Sequence, residues 1–184
     1  MILVTGGTGL VGSHLLYRLL KAGKQVRAIH RKNSSLENVV KVFSYYTDDA
    51  ESLYQQIEWF EANILDITKL ELAFKDVEWV YHAAAYVDFN PKNYHKLKKA
   101  NIEGTANIVN LCIANSVKKL CHFSSIATLG DVVGDSKITE ETYWNPEVKN
   151  SVYAITKYGA EMEVWRGTQE GVPAVILNPG VILG

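Results

Sequence analysis

The sequence contains little of what would place it in several protein classes. Its 184 residues include only two cysteines, Cys112 and Cys121, which lack C-x-x-C spacing and are interpreted as reduced thiols of the core. The 19 basic and 20 acidic side chains give a formal net charge of −1, so neither nucleic acid nor an anionic membrane is expected as a partner. No apolar run approaches the roughly 18 residues of a membrane-spanning helix, and no leader precedes the first strand, so we expect a cytoplasmic protein.

Strand-like and helix-like segments alternate along the chain, and this order predicts an α/β fold with a parallel sheet covered on both faces. The length and an apolar fraction of 47% fit one domain with a substantial core. The predicted strands are residues 2–5, 25–30, 57–60, 79–82, 117–123 and 174–177. The predicted helices are residues 10–20, 36–56 with a break near 47–49, 68–74, 94–115 and 151–168. Loop signals dominate from residue 130 to residue 150.

A glycine-rich segment, Gly6-Gly7-Thr8-Gly9-Leu10-Val11-Gly12, follows the first predicted strand and precedes a helix. This context is typical of a dinucleotide-binding loop. We expect Gly6 to permit a tight turn, Gly9 to let the backbone approach a pyrophosphate, and Gly12 to let the helix pack close to the sheet. The helix N-terminus would then present N–H groups and the positive end of its dipole to the phosphates.

The residues at the end of the second predicted strand, His30, Arg31 and Lys32, indicate which dinucleotide is bound. Folds of this kind that prefer NAD carry an Asp or Glu there, which bonds the ribose 2′-hydroxyl. This chain has no acidic residue in that region before Glu37. A guanidinium can hold a 2′-phosphate with two parallel hydrogen bonds, so Arg31 favours NADP. The alternative is that Arg31 and Lys32 face solvent and that the cofactor is NAD.

A second motif, Tyr153-Ala-Ile-Thr-Lys157, lies about 140 residues after the glycine loop. Side chains four residues apart on a helix share one face, so the ammonium can lie beside the phenol. Lowering a tyrosine pKa from about 10 to about 7 needs roughly 4 kcal/mol of extra stabilisation of the phenolate, and a fixed cation is its simplest source. The pair therefore predicts acid–base chemistry.

The two motifs together resemble those of the extended short-chain dehydrogenase/reductase family, also called the NAD-dependent epimerase/dehydratase family. Three more segments are similar, and they are His82-Ala83-Ala84-Ala85, Asn101-Ile102-Glu103-Gly104-Thr105 and Ser124-Ser125. The resemblance runs over the whole chain and implies a Rossmann-type doubly wound parallel sheet of order 3-2-1-4-5-6-7, followed by a smaller substrate lobe. Because the chains of this family are normally much longer, we expect residues 1–184 to form the NAD(P)-binding domain. The chain would then be truncated before the last strand and most of the C-terminal lobe.

The resemblance implies a NAD(P)-dependent oxidoreductase with three catalytic residues. Tyr153 would be the general acid/base, Lys157 would lower its pKa and bond the nicotinamide ribose, and Ser125 would hold the substrate oxygen, with Ser124 as the alternative. Hydride would pass between the nicotinamide and a carbonyl or alcohol carbon. The expected cofactor-binding residues are Gly6, Gly9, Leu10, Val11, Gly12, His30, Arg31, Asn63, Ile64, Ala83, Ala84, Ala85, Asn101, Ser124, Tyr153, Lys157, Asn178, Pro179 and Gly180.

The segment Asn178-Pro179-Gly180 after the sixth strand resembles that of dihydroflavonol and 3β-hydroxysteroid reductases more than that of sugar-nucleotide epimerases. The run at residues 26–31 fits the same NADP-linked reductases. We therefore expect a ketone or aldehyde reductase, with an epimerase or dehydratase as the alternative. A non-catalytic NADP-binding regulator is the rival from another class. Asn63 departs from the family pattern, which often has Asp there to accept from the adenine amino group, but its amide oxygen can accept the same bond.

The remaining clusters are interpreted as surface or core. Four lysines without an aromatic stripe are interpreted as a solvated face, and they are Lys92, Lys96, Lys98 and Lys99. Three histidines lack the spacing of metal ligands, so no metal site is expected, and they are His14, His95 and His122. His82 is interpreted as a hydrogen-bonded core residue beside the cofactor cleft. The expected partner is a small-molecule substrate, and the resemblance implies a homodimer formed through helices 94–115 and 151–168.

Overall fold

The computed structural model describes residues 1–130 and 137–183, so residues 131–136 of the predicted loop lie outside the described part. The strands are β1 (Ile2–Thr5), β2 (Val26–His30), β3 (Glu58–Glu61), β4 (Trp79–His82), β5 (Lys119–Phe123) and β6 (Ala174–Leu177). The helices are α1 (Leu10–Lys21), α2 (Glu37–Ser44), α3 (Ala50–Tyr54), α4 (Ile67–Ala73), α5 (Tyr94–Leu97), α6 (Gly104–Ala114) and α7 (Val152–Gln169). Two short 3₁₀ turns lie at Pro91–Asn93 and Ile126–Thr128.

All six strands form one parallel sheet in the order β3-β2-β1-β4-β5-β6. This is the Rossmann-type arrangement that the sequence predicts. In β1, Ile2 is in register with Val26 of β2 on one side and with Trp79 of β4 on the other. The strand order reverses between β1 and β4, and in open α/β sheets ligands bind in the crevice outside the carboxyl ends of the strands at such a point.

Each face of the sheet carries its own hydrophobic core. Alternate residues of a strand point to opposite faces, so Leu3 packs with Phe74 and Ile108 on the face covered by α4, α6 and α7. The adjacent Val4 packs with Leu16 and Phe43 on the face covered by α1 and α2. The central strand β1 is buried on both faces and is therefore a nearly continuous apolar run, whereas the edge strands β3 and β6 contain no fully buried residue. None of the helices in the described ranges is both long and apolar enough to cross a bilayer.

The helix predicted over residues 94–115 is helical throughout but irregular. Between α5 and α6, Lys98–Glu103 forms a π-helical turn, here called the π segment. The break predicted near residues 47–49 is confirmed as the gap between α2 and α3. At α4, Asp66 is the N-cap, because its carboxylate accepts from the Lys69 N–H at 3.2 Å.

Arg27 on β2 has a structural role, although the sequence analysis counted it in a run typical of NADP-linked reductases. Its side chain is 8% exposed and donates from Nε and Nη2 to the two carboxylate oxygens of Glu58 at 2.8 and 3.2 Å. Its Nη1 donates to the carbonyls of Ala73 and Lys75, each at 2.7 Å. Arg27 therefore joins two strands to the C-terminal end of α4.

Candidate active site

The glycine loop is a turn that packs against itself and against the end of β4. Gly6 has φ +71°, and a Cβ there would lie 2.6 Å from the backbone nitrogen of Ala84, so neither its conformation nor its surroundings accept a side chain. A Cβ at Gly12 would lie 2.1 Å from the Gly6 carbonyl oxygen. Gly12 thus brings α1 close to the turn, whereas the sequence predicted a close approach to the sheet. At Gly9 the same test finds only Gly6 O, at 3.3 Å, so the space above Gly9 is open.

The N-terminus of α1 has N–H groups that no side chain caps. Gly9 is its N-cap residue, no side chain caps the helix, and its first turn contains no acidic residue. The first N–H groups of a helix have no partner within the helix and carry the positive end of its dipole. The first turn contains the predicted residues Leu10 and Val11, whose contribution is their backbone.

A cleft of about 620 Å³ lies at the carboxyl ends of β1, β2 and β4. Of the predicted cofactor-binding residues, those that line it are Gly6, Gly9, His30, Arg31, Asn63, Ile64, Ala83, Ala84 and Ala85. The sequence analysis missed other lining residues, which include Thr8, Ser34, Ser35, Tyr86, Lys96 and Lys99. The predicted residues that do not line it are Leu10, Val11, Gly12, Asn101, Ser124, Tyr153, Lys157, Asn178, Pro179 and Gly180. The described lining residues include the cations Arg31, Lys96 and Lys99 and no Asp or Glu, so the cleft is positively charged.

Arg31 and Asn63 lie where the cleft meets a second cavity of about 470 Å³, which both residues also line. Arg31 is exposed, and its backbone N–H donates to the Ser34 hydroxyl at 3.1 Å, which shapes the turn after β2. The amide oxygen of Asn63 accepts from the Leu65 N–H at 3.0 Å. That bond takes up part of the acceptor capacity that the sequence analysis assigned to adenine, leaving a second lone pair.

Tyr153 lies in the first turn of α7, which begins at the N-cap residue Ser151, whose hydroxyl accepts from the Ala154 N–H at 3.1 Å. Burial raises the pKa of Tyr153 above its ordinary value, and the nearby Ser125 side chain opposes that rise. The phenol ring also lies 5.4 Å from the ring of Phe89, centroid to centroid.

Lys157 lies one turn further along α7 and is buried, with 2% of its surface exposed. Its Nζ donates to the backbone carbonyl of Phe123 at the end of β5, at 2.7 Å. Burial lowers the pKa of Lys157 to about 8, and the nearby carboxylate of Glu161 opposes this fall. The prediction that Lys157 lowers the pKa of Tyr153 stays a prediction, because the shift at the phenol comes from burial and from Ser125. The Lys157 ammonium itself donates to the strand carbonyl.

Glu161, which the sequence analysis missed, anchors a buried polar cluster below the pair. Its Oε1 accepts from the Thr128 hydroxyl at 2.6 Å and from the Asn178 amide at 2.8 Å. Asn178 also donates to the backbone carbonyl of Ser125 at 3.2 Å. The amide of Asn178 therefore holds the segment after β5 in place, and it does not face the cleft. The signal was available, because Glu161 follows Lys157 at the four-residue spacing of a helical ion pair.

The turn at residues 178–180 completes this packing. The Pro179 carbonyl accepts from the Ile126 N–H at 3.0 Å. A Cβ at Gly180 would meet only Ile126, at 3.9 Å. The predicted cofactor residues of this turn thus contact the 3₁₀ turn that follows Ser125.

Asn101 lies in the π segment and is 1% exposed. Its Oδ1 accepts from the Tyr86 N–H at 2.7 Å, and its Nδ2 donates to the Tyr86 carbonyl at 3.0 Å and to the Thr156 hydroxyl at 3.2 Å. Asn101 therefore fixes the loop after β4 to α7 and acts on the cleft through Tyr86.

His82 is confirmed as a hydrogen-bonded core residue. Its ring nitrogens lie 2.6 Å from the Thr5 hydroxyl and 2.9 Å from the Thr105 hydroxyl. Burial, with a further contribution from the charge of Lys157, lowers the pKa of His82 to about 3, so the ring is neutral at physiological pH. Ser124 is buried, and its hydroxyl has no hydrogen-bond partner among the described residues. Ser125 is the serine that affects the pKa of Tyr153.

A family model matches residues 2–184, and its description is the NAD dependent epimerase/dehydratase family. The chain belongs to this family. The resemblance identified from the sequence is thus confirmed. Within the family, a protein of Synechocystis sp. assigned as a dihydroflavonol 4-reductase is 31% identical over 98% of this chain and 49% of its own length.

Solved structures of family members share the fold. The UDP-glucose 4-epimerase of Thermotoga maritima, solved with UDP-glucose, is similar with a TM-score of 0.79 and 26% identity, over 96% of this chain and 54% of that chain. The UDP-glucuronic acid 4-epimerase of Bacillus cereus, solved in complex with NAD, is similar with a TM-score of 0.79 and 26% identity. The match covers 100% of this chain and 57% of that chain. The chain spans about half the length of the curated relatives it matches.

Proposed function

We propose that residues 1–184 form the cofactor-binding domain of a NAD(P)-dependent reductase that converts a ketone or aldehyde into an alcohol. The observation that carries this proposal is the position of the Ser125 side chain near Tyr153, with Lys157 one turn further along the same helix. The loop from Ala83 to Phe89 connects these residues to the cleft, since Ala83 lines the cleft and Phe89 contacts Tyr153. Most of the substrate lobe would lie outside this chain.

The residues of the cleft fit a nicotinamide dinucleotide. The uncapped N-terminus of α1 and the open space above Gly9 suit a pyrophosphate, and the lining carries no opposing carboxylate. Gly6 and Gly12 would allow the backbone to fold tightly beneath it. When bound, the cofactor would supply the hydride for the carbonyl carbon.

Tyr153 would donate the proton to the carbonyl oxygen. Its raised pKa keeps the phenol protonated at neutral pH, which suits a proton donor. Ser125 would hold the same oxygen against the phenol. Lys157, with a pKa of about 8, is largely an ammonium at neutral pH and would stabilise the phenolate left after donation. Glu161 would support that charge on Lys157.

The surroundings of Tyr153 favour a reductase of an apolar carbonyl compound. Phe89 is 66% exposed and Ile126 is 50% exposed, and they flank Tyr153 and Ser125 without offering hydrogen bonds to a sugar. The similarity to a dihydroflavonol 4-reductase supports the same reading. An epimerase of nucleotide sugars is the second candidate, supported by the similarity to two UDP-sugar 4-epimerases. A non-catalytic regulator would have no use for a serine placed near Tyr153 with Lys157 on the same helix.

Replacing Tyr153 by Phe tests the catalytic proposal. In the complete protein we expect carbonyl-dependent NADPH oxidation, measured over a panel of ketones and aldehydes, to fall by about 10²-fold or more, because the general acid is lost. NADPH binding, followed by fluorescence, should stay unchanged. Tyr158→Phe is the matched control, since Tyr158 stacks on Trp144 at 4.6 Å and takes no part in the site. Retained turnover in Tyr153→Phe would refute the assigned role.

We propose NADP as the preferred cofactor, with NAD as the alternative. Arg31 follows β2, lines the cleft and is exposed, so its guanidinium is available to a 2′-phosphate. Arg31→Glu should weaken NADPH binding far more than NADH binding. Lys24→Glu makes the same charge change at an exposed residue outside the cleft and should leave both affinities unchanged. Equal losses for the two cofactors in Arg31→Glu would sink the NADP assignment.

We also propose a homodimer formed through α7 and the helical region 94–115. Along α7, Ile155, Met162 and Trp165 are each between 39% and 52% exposed, at spacings that place them on one side of the helix. Light scattering should report a dimer, and Trp165→Glu should shift it to a monomer.

A cytoplasmic location is proposed because Cys112 and Cys121 are both free, as thiols are in a reducing compartment. Fractionation of cells would test it.

A further inference from the structure

Two lysines that the sequence analysis interpreted as part of a solvated face line the dinucleotide cleft. They are Lys96 on α5 and Lys99 in the π segment. Lys92 and Lys98 belong to the same basic cluster but are not among the lining residues. The geometry of this helical region therefore divides the cluster into two lysines that face the cleft and two that do not.

The sheet order places these lysines across the glycine loop from Arg31. Strand β1 lies between β2 and β4. Arg31 follows β2, whereas Lys96 and Lys99 lie in the helical region that follows β4. The α1 N-terminus, at the end of β1, therefore has cations on both of its sides.

The charge of the two lysines is not neutralised within the cleft. None of the ion pairs in residues 1–130 and 137–183 involves either side chain. Asp88 is the carboxylate that interacts with Lys96. It already accepts hydrogen bonds from the Asn90 N–H at 2.7 Å and from the Asn93 amide at 2.6 Å.

We propose that Lys96 and Lys99 bind the pyrophosphate of the dinucleotide, opposite the N–H groups of α1. This inference rests on the proposed function. A pyrophosphate is the anion that occupies a helix N-terminus behind a glycine turn. The ribose with its 2′-substituent would lie on the β2 side, where Arg31 stands, and the nicotinamide half would extend past β4. The pyrophosphate between these halves would lie at the α1 N-terminus, between Arg31 and the two lysines. A lysine ammonium is a compact charge that can approach phosphate oxygens from a flexible stem.

The test is a fluorescence titration of NADPH and of NADH into the complete protein, carried out at several salt concentrations. The cleft variants are Lys96→Ala, Lys99→Ala and their combination, and the controls are Lys92→Ala and Lys98→Ala. Each cleft variant should raise Kd by about fivefold, the size expected for one partly exposed ion pair. The loss should be equal for NADPH and NADH, because both contain the pyrophosphate. The double variant should also show a shallower dependence of Kd on salt.

Several outcomes would overturn this inference. If the controls lose as much affinity as the cleft variants, the loss comes from the overall positive charge of the helical region and not from direct contact of Lys96 and Lys99 with the pyrophosphate. A loss confined to NADPH would assign the lysines to the 2′-phosphate. If the double variant binds both cofactors as tightly as the unsubstituted protein does, the inference about the lysines is wrong but the proposed function stands. If the unsubstituted protein binds neither cofactor, the proposed function is wrong as well. Lys99→Arg keeps the charge and should retain binding, which separates loss of charge from misfolding.

Discussion

Replacing Gly12 by Ala should break the packing of the glycine turn. The added Cβ would lie 2.1 Å from Gly6 O and 2.7 Å from the Gly6 carbonyl carbon. Non-bonded heavy atoms settle at about 3.5 Å, so the turn or α1 would have to move by about 1.4 Å. Overpacking costs about 1–3 kcal/mol, and losing the bond from Gly9 N–H to Gly6 O would add about 1 kcal/mol. We expect the free energy of unfolding to fall by about 3 kcal/mol, a large share of a typical stability of about 5–15 kcal/mol.

Two other glycines provide controls that separate stability from cofactor binding. At Gly9 the new Cβ would lie 3.3 Å from Gly6 O, a tight contact that the turn would have to relieve by a few tenths of an ångström. Gly9→Ala should therefore cost less stability than Gly12→Ala, but it should weaken NADPH binding by intruding on the pyrophosphate. At Gly23, with φ +68° and nothing within 4 Å, alanine should cost about 1–2 kcal/mol of backbone strain without changing affinity. Urea unfolding, followed by tryptophan fluorescence, and an NADPH titration measure both quantities. If Gly12→Ala unfolds at the same urea concentration as the unsubstituted protein, the reasoning about close approach is wrong.

Three further predictions concern buried charge. Arg27→Met keeps the apolar stem but loses the hydrogen bonds to Glu58 and to the end of α4. The free energy of unfolding, measured by urea unfolding, should therefore fall by about 2–4 kcal/mol. Glu58→Gln keeps one acceptor and should lower the free energy of unfolding by less. The pKa of His82 is about 3 when folded and 6.5 when unfolded, so the unfolded state binds more protons between these values. Stability should therefore decline as the pH falls from 6.5 towards 3, by up to about 5 kcal/mol. In His82→Gln this decline should flatten, and an unchanged slope would contradict the assignment. Glu161→Gln removes the charge that holds up the pKa of Lys157, so that pKa should fall below about 8 and the alkaline limb of the pH–rate profile should move to lower pH.

The strands were predictable because each is a short run of mostly apolar residues bounded by turn residues. Strands β1, β4 and β6 coincide with their predicted bounds. The residues that converge on Tyr153 were predictable for a related reason, because the ends of neighbouring parallel strands and the first turn of α7 must meet at one edge of the sheet.

Other features depend on contacts between distant parts of the chain. In the sequence, Glu161 is one of several acidic residues on α7, and nothing in its position shows that it is buried. Its burial becomes evident only from its hydrogen bonds to Thr128 and Asn178, which lie far away in the sequence. The π segment is associated with the bonds that Asn101 makes to Tyr86 and Thr156, and no local spacing encodes them. Lys96 and Lys99 are three residues apart and would share one side of a regular helix as well. The sequence does not show that this side faces the cleft, because that depends on how the helical region packs on the rest of the chain.

The π segment also bears on how the length of the chain can vary. A turn with i→i+5 bonds holds one residue more than an α-helical turn. A homologue one residue shorter between Lys98 and Glu103 could therefore close this turn as a regular helix and keep Ile108 on the core side of α6. Such a deletion would leave the core intact while removing the local geometry that carries Asn101. Insertions and deletions at this point would thus alter the cleft in evolution or in a designed library without first unfolding the domain.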